Sequence, residues 1–283
     1  MSVGVFFVSN IIDMWFPSRL DPDNCPMDYF IAKYLSGIDR ERINPANSKM
    51  RAGGEAHRAF EHYLGGTPLK EAIETQKHEL TKFNAPNAKD HEQHKLCLKH
   101  FDAVVNNLVL AARECQMKVE DVEQLVKTNA KGIDLNVGGY VDVVEQDVIV
   151  ECKTKWPTPF LKADGTYSER TQSLPKRPTL SNLRQTSVYS RAAKKPGRII
   201  YVNHKGYQIY DHTNCPEMQS EPMAQAFETM RLVARARQNL LKISADPKIL
   251  TRYVEPNFGH YVWNNVDDEI VQQVKDIWGY LDG

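Results

Sequence analysis

The sequence is short of several features that usually settle a protein's class. It has no apolar run approaching the roughly 20 residues that a membrane helix needs, so a membrane protein is not expected. Its five cysteines, Cys25, Cys97, Cys115, Cys152 and Cys215, are scattered and include no CxxC pair. That pattern excludes a disulfide framework and a zinc ribbon, and leaves reduced thiols as the expectation. Internal repeats and low-complexity tracts are absent as well. The first residues, 1–7, are apolar but short, with neither a basic leader nor a small-residue cleavage site. No signal peptide is expected, and the cytoplasm is the default location.

There is also no net charge, with 36 basic residues balancing 36 acidic ones. The balance is only an average. Between Lys153 and Arg198 there are eleven Lys or Arg against Asp164 and Glu169 alone, a surplus of nine. Such a stretch is either a solvated surface or a phosphate-binding patch on an otherwise acidic protein.

What is present is a chain of 283 residues, 41% of them hydrophobic, enough to bury a full core. Apolar spacing predicts helices over residues 26–35, 51–64 (stopped by Gly65-Gly66), 69–80 and 89–115, which would form an N-terminal helical layer. The period then changes. Residues 119–130, 133–137, 139–145 and 148–152 read as strands. Residues 155–180, with four prolines, read as a long loop. A helix over 183–193, a hairpin over 198–211 around Lys205-Gly206, and helices over 217–243 and 267–281 complete the reading. Helices, then strands, then a helix between strands predict an α/β protein: a central mixed β-sheet flanked by helices, with the N-terminal helical layer.

The informative segment runs from Gly139 to Lys153. A turn at Gln146-Asp147 sets Val144 against Ile149, Val143 against Val150, and Asp142 against Glu151. Opposed residues share a face, about 5 Å apart at Cβ, and two like charges there need neutralising. A divalent cation does this, and oxygen ligands suit Mg²⁺ or Mn²⁺. Alternation puts Lys153 on the same face as Glu151 and turns the Cys152 side chain into the core. Such a lysine can hold a nucleophile or stabilise charge developing on a phosphate. From these three residues alone, a catalytic centre and a cross-strand ion-pair group at a strand end are both open.

Asp142 followed by Glu151-Cys152-Lys153 resembles the D…(D/E)xK motif of the PD-(D/E)XK nucleases. Further segments resemble the RecB-like branch, which includes phage exonucleases and CRISPR-adaptation nucleases. Gly53-Gly54-Glu55-Ala56-His57 is similar to its G-x-x-H element, and Gln185…Tyr189 to its Q-x-x-x-Y helix. Cys25-Pro26-Met27-Asp28-Tyr29-Phe30 with Tyr34 is similar to its early C-P-x-x-F/Y helix. Residues 255–263 resemble its late P-N…C-x-x-C segment, but His260 and Trp263 stand where cysteines would be. Only Cys25 of a Cys₄ set remains, so no iron–sulfur cluster is expected.

The resemblance, from about Cys25 to Trp263, implies a restriction-endonuclease-like core. It implies a single nuclease domain over 1–283: a mainly helical part (1–117) carrying His57, a catalytic core (118–215) and a C-terminal helical part (216–283). It also implies one or two Mg²⁺ or Mn²⁺ ions held by His57, Asp142, Glu151 and the Cys152 backbone carbonyl. Glu61, one turn after His57, would support them. Lys153 and Gln185 would position water, and Tyr189 would contact phosphate or stack on a base. Lys155, Lys176, Arg177, Arg184, Arg191, Lys194 and Lys195 are the expected DNA contacts. The implied activity is DNA hydrolysis, with an exonuclease of phage-type recombination, repair or genome degradation expected first. A structure-specific or single-strand endonuclease and an inactive nucleic-acid-binding module are the alternatives. The location would be the host cytoplasm if the chain is viral. A homo-oligomer or a recombination partner protein is compatible with this role, and no residue reports either. His91, His94 and His100, with Glu92, lie on a polar helix without a clustered partner and read as a solvated face.

Overall fold

The structure, a computed structural model, describes residues 12–264 and 266–279. The apolar start at 1–7 and the end of the expected last helix lie outside the described residues. Helix α1 (Met27–Leu35) turns Tyr29, Phe30, Ile31 and Ala32 inward, and the single turn α2 (Arg40–Ile43) follows it. Helix α3 (Ser48–Leu64) begins three residues before its apolar pattern does, because the Asn47 side chain accepts the Met50 N–H at 3.1 Å and caps it. Helices α4 (Leu69–Thr81) and α5 (Ala88–Glu114) complete the N-terminal layer, α5 with its own cap from Asn87 to Asp90 N–H at 3.0 Å.

The chain then builds β1 (Val119–Thr128), β2 (Val137–Glu145), β3 (Ile149–Thr154), β4 (Thr158–Leu161), β5 (Tyr167–Arg170), helix α6 (Leu180–Ala193), β6 (Gly197–Asn203) and β7 (Gly206–Tyr210). Five of these strands make one sheet in the order β1-β2-β3-β6-β7. All pairs are antiparallel except β3 with β6, and α6 is the connection that such a parallel pair requires. Helix α7 (Ser220–Ile243), the turn α8 (Pro247–Leu250) and α9 (Asp268–Ile277) follow.

Two large apolar clusters cover the sheet, with a smaller third around Ile199 and Tyr201 of β6. In one, Phe101, Val104, Val105 and Leu108 of α5 and the small residues Ala52, Ala56 and Ala59 of α3 pack with Val143, Val150, Cys152, Ile200 and Val202. In the other, α1, α6 and α7 gather around Val141, Val144 and Ile149. The α/β class, the mixed sheet and the N-terminal helical layer are those the apolar periodicity predicts. No helix among the described residues is long and apolar enough to cross a membrane.

Two local expectations are corrected. Residues 133–136 are not strand: the chain turns at Gly132 (φ +78°), Ile133 N–H reaches the Ala130 carbonyl at 3.1 Å, and extended pairing starts only at Val137. The expected loop over 155–180 contains the hairpin β4–β5, a separate two-stranded ribbon. Its prolines disguise it, yet a two-stranded ribbon has open edges, where a missing N–H is tolerated.

Phe101 is fully buried and stacks on Trp156 with ring centroids 6.2 Å apart. Phe101→Ala is expected to lower the unfolding free energy by about 3–5 kcal/mol in urea denaturation. A loss under about 1 kcal/mol would show that this cluster does not hold the helical layer to the sheet.

Candidate active site

The β2–β3 hairpin has the register that a Gln146-Asp147 turn dictates, with Val143 facing Val150 and Val144 facing Ile149. Asp142 and Glu151 occupy the next rung. There the Asp142 side chain takes over from the ladder, its Oδ2 accepting the Cys152 N–H at 2.6 Å. Its Oδ1 lies 3.4 Å from His57 Nδ1, brought in by α3. Lys153 Nζ contacts Glu151 Oε1 at 2.5 Å and donates to Gln185 Oε1, on α6, at 2.9 Å. Gln185 Nε2 in turn donates to the Tyr189 hydroxyl at 3.1 Å. Four elements thus meet in one recess, with side-chain exposures of 22% for His57, 16% for Asp142, 24% for Lys153 and only 4% for Glu151.

Two glycines permit this approach. A Cβ on Gly139 would stand 3.0 Å from the Tyr189 ring and hydroxyl, and one on Gly53 would stand 3.1 Å from Thr154 Oγ1. Side chains there would lift α6 and α3 away from the hairpin.

The electrostatics follow from burial. Two carboxylates on one rung repel each other, and more strongly when buried. Burial and the neighbouring Asp142 charge push Glu151 up to about 7, against the opposing pull of Lys153. Burial would raise Asp142 too, but His57, Lys153 and the Cys152 N–H outweigh it and hold the carboxyl below its ordinary value. Burial works against the charge on Lys153, and the two carboxylates overcome it, so its pKa is raised. Glu151 Oε2 is buried without any hydrogen-bond partner. A bare carboxylate oxygen beside a second carboxylate and an imidazole fits the donor set of Mg²⁺ or Mn²⁺.

The three candidate ligands nevertheless do not form a closed group. Among the described residues, the only three His, Cys, Asp or Glu whose ligand atoms all lie within 4.8 Å are elsewhere, at His100, Glu169 and His204. In the recess, Glu151 Oε1 is taken by Lys153.

The remaining expected residues divide. The Cys152 thiol is buried in the core and its carbonyl lies in β3 between Glu151 and Lys153. Glu61 stands beside the recess, pushed up to about 7 by burial, then by Glu123 and by Asp142. Glu123 is a neighbour of Glu61 that the sequence does not announce. It sits in β1 with φ +51°, and an acidic residue on a mostly exposed strand gives no signal in sequence. Tyr189 is 4% exposed and packed in the core, so stacking on a base is not open to it.

The expected phosphate contacts thin out. Arg184 is buried between Asp21 (3.0 Å) and Asp23 (2.7 Å). Lys195 is held by Glu120 at 2.9 Å and the Glu145 carbonyl at 2.5 Å. Arg191 lies over the Phe227 ring at 5.9 Å. Lys176, Arg177 and Lys194 are exposed, with Arg177 3.9 Å from Glu217, and Lys155 is half-buried. Arg191, Lys194 and Lys195 line a groove of 1280 Å³ between α6 and α7 that includes none of the recess residues. A smaller hollow of 390 Å³, lined by Lys33, Asn24, Ser181 and Tyr261, does reach Gln185.

The early and late segments also meet. The Asn257 N–H donates to Asp28 at 2.9 Å, and Trp263 packs edge-on against Tyr29 at 5.1 Å. Beside them the buried Arg237 donates to the Cys25 carbonyl, with its guanidinium 3.7 Å from the Cys25 thiol and 4.6 Å over the Phe30 ring.

No family model matches the chain, and no curated protein does. Among solved structures, one described as "Crystal structure of SSO0001" aligns at 13% identity and a TM-score of 0.28, over 58% of this chain and 86% of that chain. At that score the likeness carries no argument about fold or activity.

The raised Glu151 carboxyl has a consequence for stability. Its unfolded form ionises near 4.5, while the folded form keeps its proton to about 7. The fold is therefore penalised as pH rises between those values. In chelator, urea denaturation from pH 4.5 to 8 is expected to show falling stability, and Glu151→Gln to lessen that fall, with the more solvent-screened Glu61 supplying a smaller share. A decline unchanged by the substitution would contradict this charge pattern.

Proposed function

We propose that this chain is a divalent-cation-dependent deoxyribonuclease of the PD-(D/E)XK type, hydrolysing phosphodiester bonds at DNA ends. The observation that carries the reading is the convergence of His57, Asp142, Glu151, Lys153 and Gln185 in one recess, with Glu151 Oε2 lacking a partner. Asp142, Glu151 and His57, with the Cys152 carbonyl, would hold Mg²⁺ or Mn²⁺, which supplies polarisation of a phosphoryl oxygen and a water of lowered pKa.

The protein's own groups have separable tasks. Lys153, kept charged by the carboxylates, places a positive charge at the mouth of the recess, where negative charge develops on the phosphate. Its bond to Gln185 Oε1 orients that amide, which donates one of its two N–H groups to Tyr189. The Tyr189 hydroxyl, accepting from Gln185, has its own proton left to donate. Asp142 keeps His57 oriented through Nδ1. Of the expected contacts, Lys176, Arg177, Arg191 and Lys194 are exposed and Lys155 is half-buried, a set open to a DNA backbone that makes binding salt-dependent.

Action at ends rests on the resemblance to phage-type exonucleases. The test is incubation with Mg²⁺ or Mn²⁺ and end-labelled linear duplex, single-stranded and covalently closed circular DNA. Cleavage of linear but not closed DNA is expected. Cleavage of the closed circle would make the protein an endonuclease. Lys153→Ala is expected to retain the circular dichroism of the folded chain and lose hydrolysis by more than about 100-fold. Undiminished cleavage by that variant would overturn the assignment, and absence of cleavage by the unmutated chain on every substrate would leave a binding module.

A further inference from the structure

Away from the recess, three side chains from distant parts of the sequence meet. His100 lies on α5, Glu169 on β5, and His204 in the turn between β6 and β7. His100 Nε2 is 3.0 Å from Glu169 Oε2, and the two imidazole rings stand 4.1 Å apart, tilted by 34°. One ligand atom from each residue falls within 4.8 Å of the other two. Four ligands around zinc, at bond lengths of about 2.0–2.1 Å, lie roughly 3.4 Å from one another. The group is therefore near that ligand spacing.

Ion pairing of Glu169 with His100 and Lys99 accounts for two members of the cluster but leaves His204 unexplained. His204 Nδ1 is buried with no partner, and its Nε2 reaches only Thr171 Oγ1, at 3.4 Å. A neutral imidazole always offers one nitrogen lone pair, and neither His204 nitrogen is firmly engaged. Glu169 Oε2 also receives Lys99 at 2.9 Å, but that lysine is 61% exposed and free to swing into solvent. Two imidazoles with one carboxylate, leaving a fourth position to water, suit zinc-class ions far better than Mg²⁺.

We propose that His100, Glu169 and His204 bind a zinc-class transition-metal ion that fastens the hairpin β4–β5 to the long helix α5 and to the β6–β7 turn. The hairpin leaves the sheet a few residues after Lys153. Its other hydrogen-bond ties to the fold run from Lys49 to Thr158 Oγ1 at 3.2 Å, from Gln93 to the Pro157 carbonyl at 2.7 Å and from Asn203 to the Gln172 carbonyl at 2.9 Å. A metal ion there fixes the chain segment that follows the recess, without touching it. The proposal does not depend on the nuclease reading.

The full chain, stripped with chelator and dialysed, is titrated with Co²⁺ and then with Zn²⁺. One equivalent of Co²⁺ is expected to give the visible absorption of a tetrahedral site, and Zn²⁺ to displace it and raise the thermal midpoint. His204→Ala and Glu169→Gln should lose both effects, while Asp142→Asn keeps them. Glu169→Gln lies on the ribbon outside the main sheet, and its circular dichroism controls for folding. Absorption unchanged in His204→Ala and Glu169→Gln, or lost in Asp142→Asn, overturns the site, as does binding no tighter than millimolar.

Discussion

Everything in the recess depends on two carboxylates held on neighbouring strands below the surface. The turn at Gln146-Asp147 fixes the register, and the register puts Asp142 and Glu151 on one rung. From there the surroundings are forced. The charge must be met by cations, and Lys153 and His57 meet part of it. One Glu151 oxygen is left buried without a hydrogen-bond partner. A protein keeps such an oxygen at a cost of a few kcal/mol, and the cost is understandable when the oxygen has a ligand to bind.

The sheet and helices are the means of holding that arrangement. The Cys152 side chain and Val143 anchor the hairpin in one core cluster, while Val144 and Ile149 anchor it in the other. The strands therefore cannot slip by a residue without turning Glu151 and Lys153 into the core. Helix α3 supplies His57 because Ala52, Ala56 and Ala59 let it lie close to α5, and Gly53 lets it pass Thr154. Helix α6 supplies Gln185 because Gly139 leaves room for Tyr189. Core packing and site geometry are thus set by the same few small residues.

The parts legible in sequence were those governed by local rules. Strand alternation and a two-residue turn gave the carboxylate rung, and a four-residue helical spacing gave Gln185 and Tyr189 on one face. The parts that were not legible depend on contacts across the chain. A count of basic residues assigned Arg184 to DNA, while its partners Asp21 and Asp23 lie some 160 positions earlier. Glu123 reaches the recess through a single left-handed residue within a strand, and His100 finds its carboxylate 69 residues on, in a hairpin that prolines concealed. The buried Arg237 against Cys25 belongs to the same class: nothing local marks it as the group that fills that corner.

The central claim is that Asp142 and Glu151 are placed together to hold a divalent cation, and that they are not merely an ion-pair group with Lys153. Calorimetric titration of Mn²⁺ into the intact chain and into Asp142→Asn tests this most directly. The account predicts one binding site fewer in the variant, with its fold retained by circular dichroism. Indistinguishable isotherms for the two proteins would contradict it.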